Sequence, residues 1–99
     1  MIRITICCAG GWSTSLLLKK LRKAAESKNI EIEARAAAIS SFNEYKNCTD
    51  VLLLGPQVAH AYKETVEKYP NLKVSVIDQK DYAMMNGEKV LQQVLDLMQ

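Results

Sequence analysis

Hydrophobic and polar positions follow two different spacings along the chain, and these spacings predict strands that alternate with helices. Runs of apolar or β-branched residues predict strands at Ile2–Cys8, Ile30–Ala38, Val51–Leu54 and Lys73–Ile77. The continuous apolar run Val51–Leu54, which Gly55 ends, is typical of a central strand covered on both faces. Because the segments between the runs are long enough to cross over a sheet, the pattern favours parallel strands.

Apolar residues at helical spacing predict helices over residues 13–28, 57–69 and 87–97. Asn29 could end the first helix in a left-handed conformation, and Asn86 could cap the last. Residues 41–44 have the Ser-x-x-Glu form of a capping box, which predicts a short helix or turn before the third strand. The positions expected to face the sheet are Val58, Tyr62, Val66 and Tyr69 in the middle helix, and Val90, Leu91, Val94, Leu95 and Met98 in the last.

Right-handed crossovers between these elements predict an α/β fold, a small doubly wound open sheet of four parallel strands in the order 2-1-3-4 with helices on both faces. In that order the chain direction switches between the first and third strands. Ligands bind at such a crevice, outside the carboxyl ends of the strands. Cys8 ends the first strand and Gly55-Pro56-Gln57 follows the third, so we expect the two segments to meet there.

Composition restricts the class of protein further. Ninety-nine residues with 48% hydrophobic content predict a single domain spanning residues 1–99. We expect a cytoplasmic protein, because there is no signal peptide and no apolar stretch near the roughly 20 residues of a membrane span. Three cysteines without zinc-site spacing favour neither disulfides nor metal, and we expect no cofactor. The net charge of +2 is too small to indicate nucleic acid, and nothing in the sequence calls for a dimer.

The loop from Cys8 to Ser15 carries the predicted chemistry. Amides at a helix start attract anions and favour the thiolate form of a nearby cysteine, so Cys8 is a candidate phosphoryl acceptor. Gly10 and Gly11 allow the backbone to approach a ligand closely. The alternatives are that Cys8 is only a small buried apolar residue and that the hydroxyls only cap the helix. The predicted phosphate-binding residues are Ala9, Gly10, Gly11, Trp12, Ser13, Thr14 and Ser15.

Five other side chains are candidates for this site or lie near it in the sequence. Cys7 should point to the opposite side of the strand, into the core. Cys48 lies in a polar stretch away from the loop and is predicted to be incidental. Gln57 would lie at the crevice and could donate to phosphate or to a partner, while His60 is expected at the surface or rim rather than as a base. Tyr82, after the fourth strand, is a further candidate for the rim or for docking.

Comparison with other cysteine and phosphate loops narrows the function. A tyrosine phosphatase loop needs arginine six residues after its cysteine, where this chain has Thr14. A receiver domain would need an aspartate at the end of the third strand, and the P-loop motif is absent. A phosphocysteine that is passed onward is therefore favoured over rapid hydrolysis. A thiol redox protein remains an alternative, although adjacent Cys7 and Cys8 could form only a strained bridge. A phosphate-sensing regulatory module is another.

Three motifs together resemble the IIB component of the bacterial sugar phosphotransferase system, in its lactose/cellobiose/chitobiose class. They are Cys8-x-x-Gly11-x-Ser13-Thr14-Ser15-Leu16-Leu17, then Leu52-Leu53-Leu54-Gly55-Pro56-Gln57-Val58, then Val76-Ile77-Asp78 through Asp81-Tyr82 with Gly87. They cover nearly the whole chain in the family's order. The position of Ser13-Thr14-Ser15 sets the family's phosphorylated cysteine at Cys8 rather than Cys7.

The resemblance implies a fold like that of low-molecular-weight phosphotyrosine phosphatases and a carrier cycle. Cys8 would accept a phosphoryl group from a phosphohistidine on the IIA component. It would then pass the group to a β-disaccharide held in the membrane IIC transporter, so that uptake is coupled to phosphorylation. The resemblance thus implies a protein-phosphocysteine sugar phosphotransferase component, a phosphoprotein of the cytoplasm that meets the inner face of the membrane through IIC.

Overall fold

The computed structural model describes residues 1–8 and 12–99, with no description of the side chains of residues 12–14. Four parallel strands form one sheet in the order β2-β1-β3-β4. They are β1 (Ile2–Cys8), β2 (Ile32–Ala38), β3 (Val51–Leu54) and β4 (Lys73–Val76). The predicted order 2-1-3-4 is confirmed, and the bounds of β1 and β3 are those predicted. The other two strands begin or end one or two residues inside their predicted ranges.

The register aligns the carboxyl ends of the two central strands. Cys7 of β1 is paired with Leu54 of β3, and Leu54 with Val76 of β4. The amide of Ile77 donates to the carbonyl of Leu54 at 2.8 Å, which extends the pairing by one residue beyond β4. All four residues of β3 are buried, as a central strand with both faces covered requires. The chain therefore leaves β1 and β3 at the same edge of the sheet.

Helices cover both faces of the sheet. The α-helices are α1 (Trp12–Ser27), α2 (Tyr62–Lys68), α3 (Gln79–Ala83) and α4 (Gly87–Met98), and two 3₁₀ helices span Ile39–Cys48 and Pro56–Ala61. The first layer consists of α1 and α4. Their apolar residues pack on the sheet in a core cluster that includes Ile4, Ile6, Leu17, Leu21, Val51, Leu53, Val90, Leu91 and Val94.

The ends of α1 and α4 are formed as predicted. Asn29 has a φ of 57°, and the amide of Ile30 after it donates to the carbonyl of Ala25 at 2.9 Å, closing the helix end. The side chain of Asn86 accepts a hydrogen bond from the amide of Lys89 at 3.1 Å and caps α4. Met98 was predicted to be buried but is 40% exposed, because it is the last residue of the helix.

The second layer consists of the two 3₁₀ helices and α2, and its core cluster is smaller. The cluster comprises Cys7, Phe42, Leu52, Leu54, Val58 and Val74. The fully buried Phe42 contacts Tyr69 edge to face, with ring centroids 5.1 Å apart. The first 3₁₀ helix confirms the short helix expected before β3. However, its N-cap is Ala38 without a side-chain hydrogen bond, so the predicted Ser41 capping box does not begin it.

The predicted helix 57–69 is interrupted, and this changes which side faces the sheet. Pro56 begins a 3₁₀ helix, and Val58 has non-helical angles of −118° and 21°. Because α2 begins only at Tyr62, the row of apolar residues expected along one continuous helix is rotated relative to the sheet. Tyr62 and Val66, which were predicted to be buried, are 42% and 37% exposed, while Thr65 is the buried residue of α2. Val58 is buried as predicted.

Helix α3 was not predicted from the sequence. Five residues are too few to show helical periodicity, although Asp78 provides a recognisable start because its side chain accepts a hydrogen bond from the amide of Lys80 at 2.9 Å.

Within the described part of the chain, no helix has the length and apolar character needed to cross a membrane.

Candidate functional site

The site predicted from the sequence centres on Cys8, the last residue of β1. Its side chain is recessed, since the residue is only 4% exposed. Alternation along the strand places Cys8 on the same side of the sheet as Ile4 and Ile6, whereas Cys7 belongs to the core of the second layer. The prediction that the two adjacent cysteines face opposite sides is therefore confirmed. Cys8 also takes part in an interaction within the structure.

Cys7 is held as a neutral thiol. Burial, together with the smaller effect of the neighbouring charge of Cys8, raises the pKa of its thiol to about 12. A cysteine with this pKa is almost entirely protonated near neutral pH, and the thiolate is the reactive form. Cys7 is therefore unsuited to be either the nucleophile or the partner in a reversible disulfide.

The turn after β3 lies directly against the end of β1. The amide of Gly55 donates to the carbonyl of Cys7 at 2.8 Å. A Cβ atom placed on Gly55 would lie 3.5 Å from the Cβ of Cys8 and 3.4 Å from the carbonyl oxygen of Cys7. Residues about fifty positions apart in sequence are thus in contact, as the switch in chain direction between β1 and β3 predicts. Because Gly55 has no side chain, space remains beside Cys8.

The side chain of Gln57 folds back into that space. Its Oε1 lies 2.8 Å from the position that a Cβ on Gly55 would occupy, although Gln57 is otherwise exposed. The carbonyl of Gly55 accepts a hydrogen bond from the amide of Val58 at 3.0 Å, which fixes the turn that carries Gln57. Gln57 therefore lies at the crevice where β1 and β3 end, as predicted, with its carboxamide over Gly55. The contact between the two was not predicted, and the glycine after the apolar run was its only signal in the sequence.

The other two candidates for the rim have different surroundings. His60 is exposed on the 3₁₀ helix Pro56–Ala61, where it lines a surface cleft together with Ile39 and Glu64. Tyr82 is only 6% exposed and packs in the core cluster under α1 and α4. A ring buried this deeply offers little surface for docking, so the structure does not present Tyr82 as an exposed rim residue.

The predicted phosphate loop lies largely outside the described residues. Nothing is described for Ala9, Gly10 and Gly11, nor for the side chains of residues 12–14. The described part shows that α1 begins at Trp12, shortly after Cys8, and that Ser15 is exposed in its first turn. Ser15 has an interaction of its own. The roles of these loop residues as phosphate donors stay predictions.

Cys48 is the last residue of the first 3₁₀ helix, shortly before β3 begins at Val51, and structural contacts hold it there. Its Sγ accepts a hydrogen bond from Nη1 of Arg35 at 3.2 Å and donates to the carbonyl of Tyr45 at 3.4 Å. These contacts secure the end of the first 3₁₀ helix, and they account for Cys48 without a role in chemistry. Among residues 1–8 and 12–99, no group of three or more His, Cys, Asp or Glu side chains could hold a metal ion.

Comparison with known proteins decides the family. The pattern of the family described as "PTS system, Lactose/Cellobiose specific IIB subunit" matches residues 3–93. The chain belongs to this family. IIB subunits are components of the phosphotransferase system, so the resemblance stated from the three sequence motifs is confirmed.

Curated IIB relatives are similar over almost their whole length. The galactose-specific component of Lactococcus lactis subsp. cremoris (strain MG1363) and the cellobiose-specific component of Lactococcus lactis subsp. lactis (strain IL1403) are each 39% identical, over 96% of this chain and 94% of the relative. The oligo-beta-mannoside-specific component of Bacillus subtilis (strain 168) is 36% identical, over 99% and 97%. These names cover different sugars at nearly equal identity, so identity alone does not select one.

Solved structures agree with the fold. The cellobiose-specific IIB component of Borrelia burgdorferi has a TM-score of 0.79 at 37% identity, over 97% of this chain and 90% of that one. The lactose-specific IIB domain of Streptococcus pneumoniae has a TM-score of 0.85 at 21% identity, over 99% and 98%, which shows the fold alone. A mutant of YwlE from Bacillus subtilis, at 14% identity and a TM-score of 0.63 over 99% of each chain, agrees with the predicted phosphatase-like fold.

Some relatives join IIB to a further component. The lactose-specific EIICB component of Staphylococcus haemolyticus (strain JCSC1435) is 25% identical over 97% of this chain, which corresponds to 16% of that protein. A IIB unit similar to this chain therefore occurs within one polypeptide together with IIC.

Proposed function

We propose that this chain is the phosphoryl carrier of its phosphotransferase system and that Cys8 forms the phosphocysteine. The observation that supports this most directly is the position of Cys8. It ends the central strand β1, contacts the turn after β3, and is followed within a few residues by the start of α1. In an open α/β sheet this is where an anionic ligand binds. We also propose that residues 1–99 form a single phosphoryl-transfer domain.

The first transfer would take the phosphoryl group from a phosphohistidine on the IIA component. The Cys8 thiolate supplies the electron pair for a new S–P bond, while the P–N bond of the phosphohistidine breaks and its electron pair returns to the imidazole. Little covalent assistance is needed, because catalysis of phosphoryl transfer rests mainly on positioning and on donors around the three charged oxygens. Backbone amides of residues 9–15 and the hydroxyls of Ser13, Thr14 and Ser15 are the proposed donors.

The second transfer would pass the group to a sugar bound in the membrane IIC component. A sugar hydroxyl forms the new O–P bond and loses its proton, and the S–P bond breaks to regenerate the Cys8 thiolate. The occurrence of IIB and IIC in one polypeptide in lactose-specific relatives supports IIC as the recipient. We propose a β-disaccharide of the cellobiose, chitobiose or lactose class as the substrate. On this proposal the chain works as a monomer at the cytoplasmic face of the membrane.

The choice between the two adjacent cysteines supplies the decisive experiment. The variants Cys8→Ser and Cys7→Ser are incubated with phosphorylated IIA component, and the mass of each intact protein is measured. We expect Cys8→Ser to gain no phosphoryl group and Cys7→Ser to gain one, because Cys7 is buried on the opposite side of the sheet and its pKa is about 12. Cys48→Ser is a matched control that should be labelled like the wild type. Equal labelling of the Cys7 and Cys8 variants would contradict the proposal.

A second stage separates a carrier from the alternatives. Membranes that contain the IIC component and a cellobiose-class sugar are added to the labelled protein. A carrier should yield sugar phosphate and lose its label, whereas a phosphate-sensing module would keep the label without forming that product. A thiol redox protein would instead lose two hydrogens on mild oxidation, in a form that thioredoxin reverses, and would gain no phosphoryl group.

A further inference from the structure

We propose that the Gln57 carboxamide is a hydrogen-bond donor to the phosphoryl group on Cys8, and that Gly55 is glycine because a side chain there would displace this carboxamide. The inference rests on the proposed phosphocysteine and deepens it by naming a donor outside the loop of residues 9–15. It assigns a role to the turn after β3. From the sequence alone, Gln57 in this turn could donate either to phosphate or to a partner protein.

The geometry places the carboxamide next to the reacting residue. One point in space, the position of a Cβ on Gly55, lies 2.8 Å from Oε1 of Gln57 and 3.5 Å from the Cβ of Cys8. A Cβ so close to Oε1 would force the carboxamide to move, whereas its contact with Cys8 would be an ordinary van der Waals one. The missing side chain of Gly55 therefore leaves room for Gln57.

The turn itself is held firmly enough to position a donor. The amide of Gly55 is fixed to the carbonyl of Cys7 at 2.8 Å, and its carbonyl to the amide of Val58 at 3.0 Å. Val58 is buried in the second-layer core, which anchors the turn from below. Gln57 stands between these fixed points with its backbone restrained and its side chain exposed, so the carboxamide can turn about its last torsion without disturbing the core.

The chemistry matches what a phosphoryl group on sulfur requires. Such a group is negatively charged and has three oxygens that accept hydrogen bonds. A carboxamide offers two N–H donors without a charge. It can therefore hold the group firmly enough to orient it and still release it to a recipient, whereas the charged bidentate arginine of a phosphatase loop binds more strongly.

Two substitutions at Gln57 separate donation from packing. The rate of transfer from phosphorylated IIA component to Cys8 is measured in single turnovers over a range of donor concentrations. We expect Gln57→Ala to slow the step at saturating donor by about tenfold, the effect of losing one hydrogen bond to a charged group. Gln57→Glu nearly keeps the shape but replaces the donors with a repelling carboxylate, so we expect a larger loss. Gln92→Ala, an exposed glutamine of α4, should transfer at the wild-type rate.

A role in packing alone predicts that Gln57→Glu behaves like the wild type, and that result would overturn the inference. A role in docking the donor protein predicts a changed concentration dependence with an unchanged rate at saturation, and that result would overturn it as well. If the wild type gains no phosphoryl group on Cys8, the carrier function itself is wrong. If the wild type is labelled normally while the Gln57 variants match Gln92→Ala, only the role of Gln57 is wrong.

The role of Gly55 is tested through the pair. Gly55→Ala should slow the same step, since the added methyl displaces the carboxamide. If Gly55 acts through Gln57, the double variant Gly55→Ala/Gln57→Ala should be about as slow as Gln57→Ala alone, a non-additive result. Effects that multiply would show that the methyl acts directly on Cys8 and would overturn the assignment to Gly55. Unfolding midpoints of all variants show whether each remains folded.

Discussion

Gly87 packs directly against the backbone of α1, and Gly87→Ala tests how α1 and α4 are held together. A Cβ on Gly87 would lie 2.5 Å from the carbonyl carbon and oxygen of Lys20 and 2.8 Å from the amide nitrogen of Leu21. All three atoms belong to the backbone of α1, so no side chain can rotate away. Accommodating the methyl requires α4 to shift, and the core cluster between the two helices must then repack.

Two opposing effects set the size of the change. Overpacking a well-packed core is destabilising by about 1–3 kcal/mol, and the rigid backbone neighbours at Gly87 place this site at the upper end. Replacing glycine by alanine also restricts the unfolded chain, which is stabilising by about 0.4–1 kcal/mol. We therefore expect a net loss of about 2 kcal/mol in the free energy of unfolding. In a domain of this size, that loss lowers the Tm by about 8–16 °C.

The assay is urea unfolding followed by far-ultraviolet circular dichroism, with the Tm from thermal melts as a second measure. At a slope of about 2 kcal/mol per molar urea, the midpoint of Gly87→Ala should fall by about 1 M. Gly55→Ala is the matched control, because its closest contact is the flexible end of Gln57 rather than backbone, and its midpoint should stay close to that of the wild type. An unchanged or raised midpoint for Gly87→Ala, or equal losses for both variants, would refute the reasoning.

Two further predictions concern titrating groups. Hydrogen bonds from the Arg3 side chain and amide lower the pKa of Asp50 below its ordinary value of 3.8, so the stabilisation they give is complete above that value and is lost as the pH falls through the folded pKa. Below about pH 4, the free energy of unfolding should therefore fall more steeply with pH for the wild type than for Asp50→Asn, and parallel curves would contradict this. The raised pKa of Cys7 predicts that iodoacetamide at mildly alkaline pH leaves Cys7 unmodified in the folded protein and modifies it in urea. Peptide mass spectrometry measures this, and alkylation of Cys7 as fast as that of Cys48 in the folded state would show that Cys7 is not protected.

The sequence predicts the sheet well because its signals are local. The run Val51–Leu54 has no alternation and is ended by glycine, so both its burial and its bounds can be read directly. Once the strands are placed, right-handed crossovers with helices on both faces give the order 2-1-3-4 most simply, and this order brings Cys8 close to Gly55. The proximity of the end of β1 to the turn after β3 is therefore predictable from the sequence.

The parts that were predicted wrongly depend on geometry that periodicity does not contain. Pro56 and the non-helical angles of Val58 delay α2, and this rotates Tyr62 and Val66 toward solvent. A pattern of apolar spacing assumes an uninterrupted helix and cannot register such a break. The contact of the Gln57 carboxamide with Gly55 depends on a side chain folding back on its own turn, which no spacing rule describes.

The two layers that cover the sheet should differ in the free energy of local opening, and therefore in how soon their amide hydrogens exchange with solvent. The layer of α1 and α4 is built from long α-helices, whereas the other depends on two 3₁₀ helices and the short α2, whose core cluster is smaller. Because 3₁₀ hydrogen bonds have poorer geometry and less apolar surface is buried there, this layer should open locally at lower free energy. Amide hydrogens of residues 57–61 should consequently exchange with solvent sooner than those of α1. Local opening of this layer should therefore leave the half of the molecule built on α1 and α4 folded.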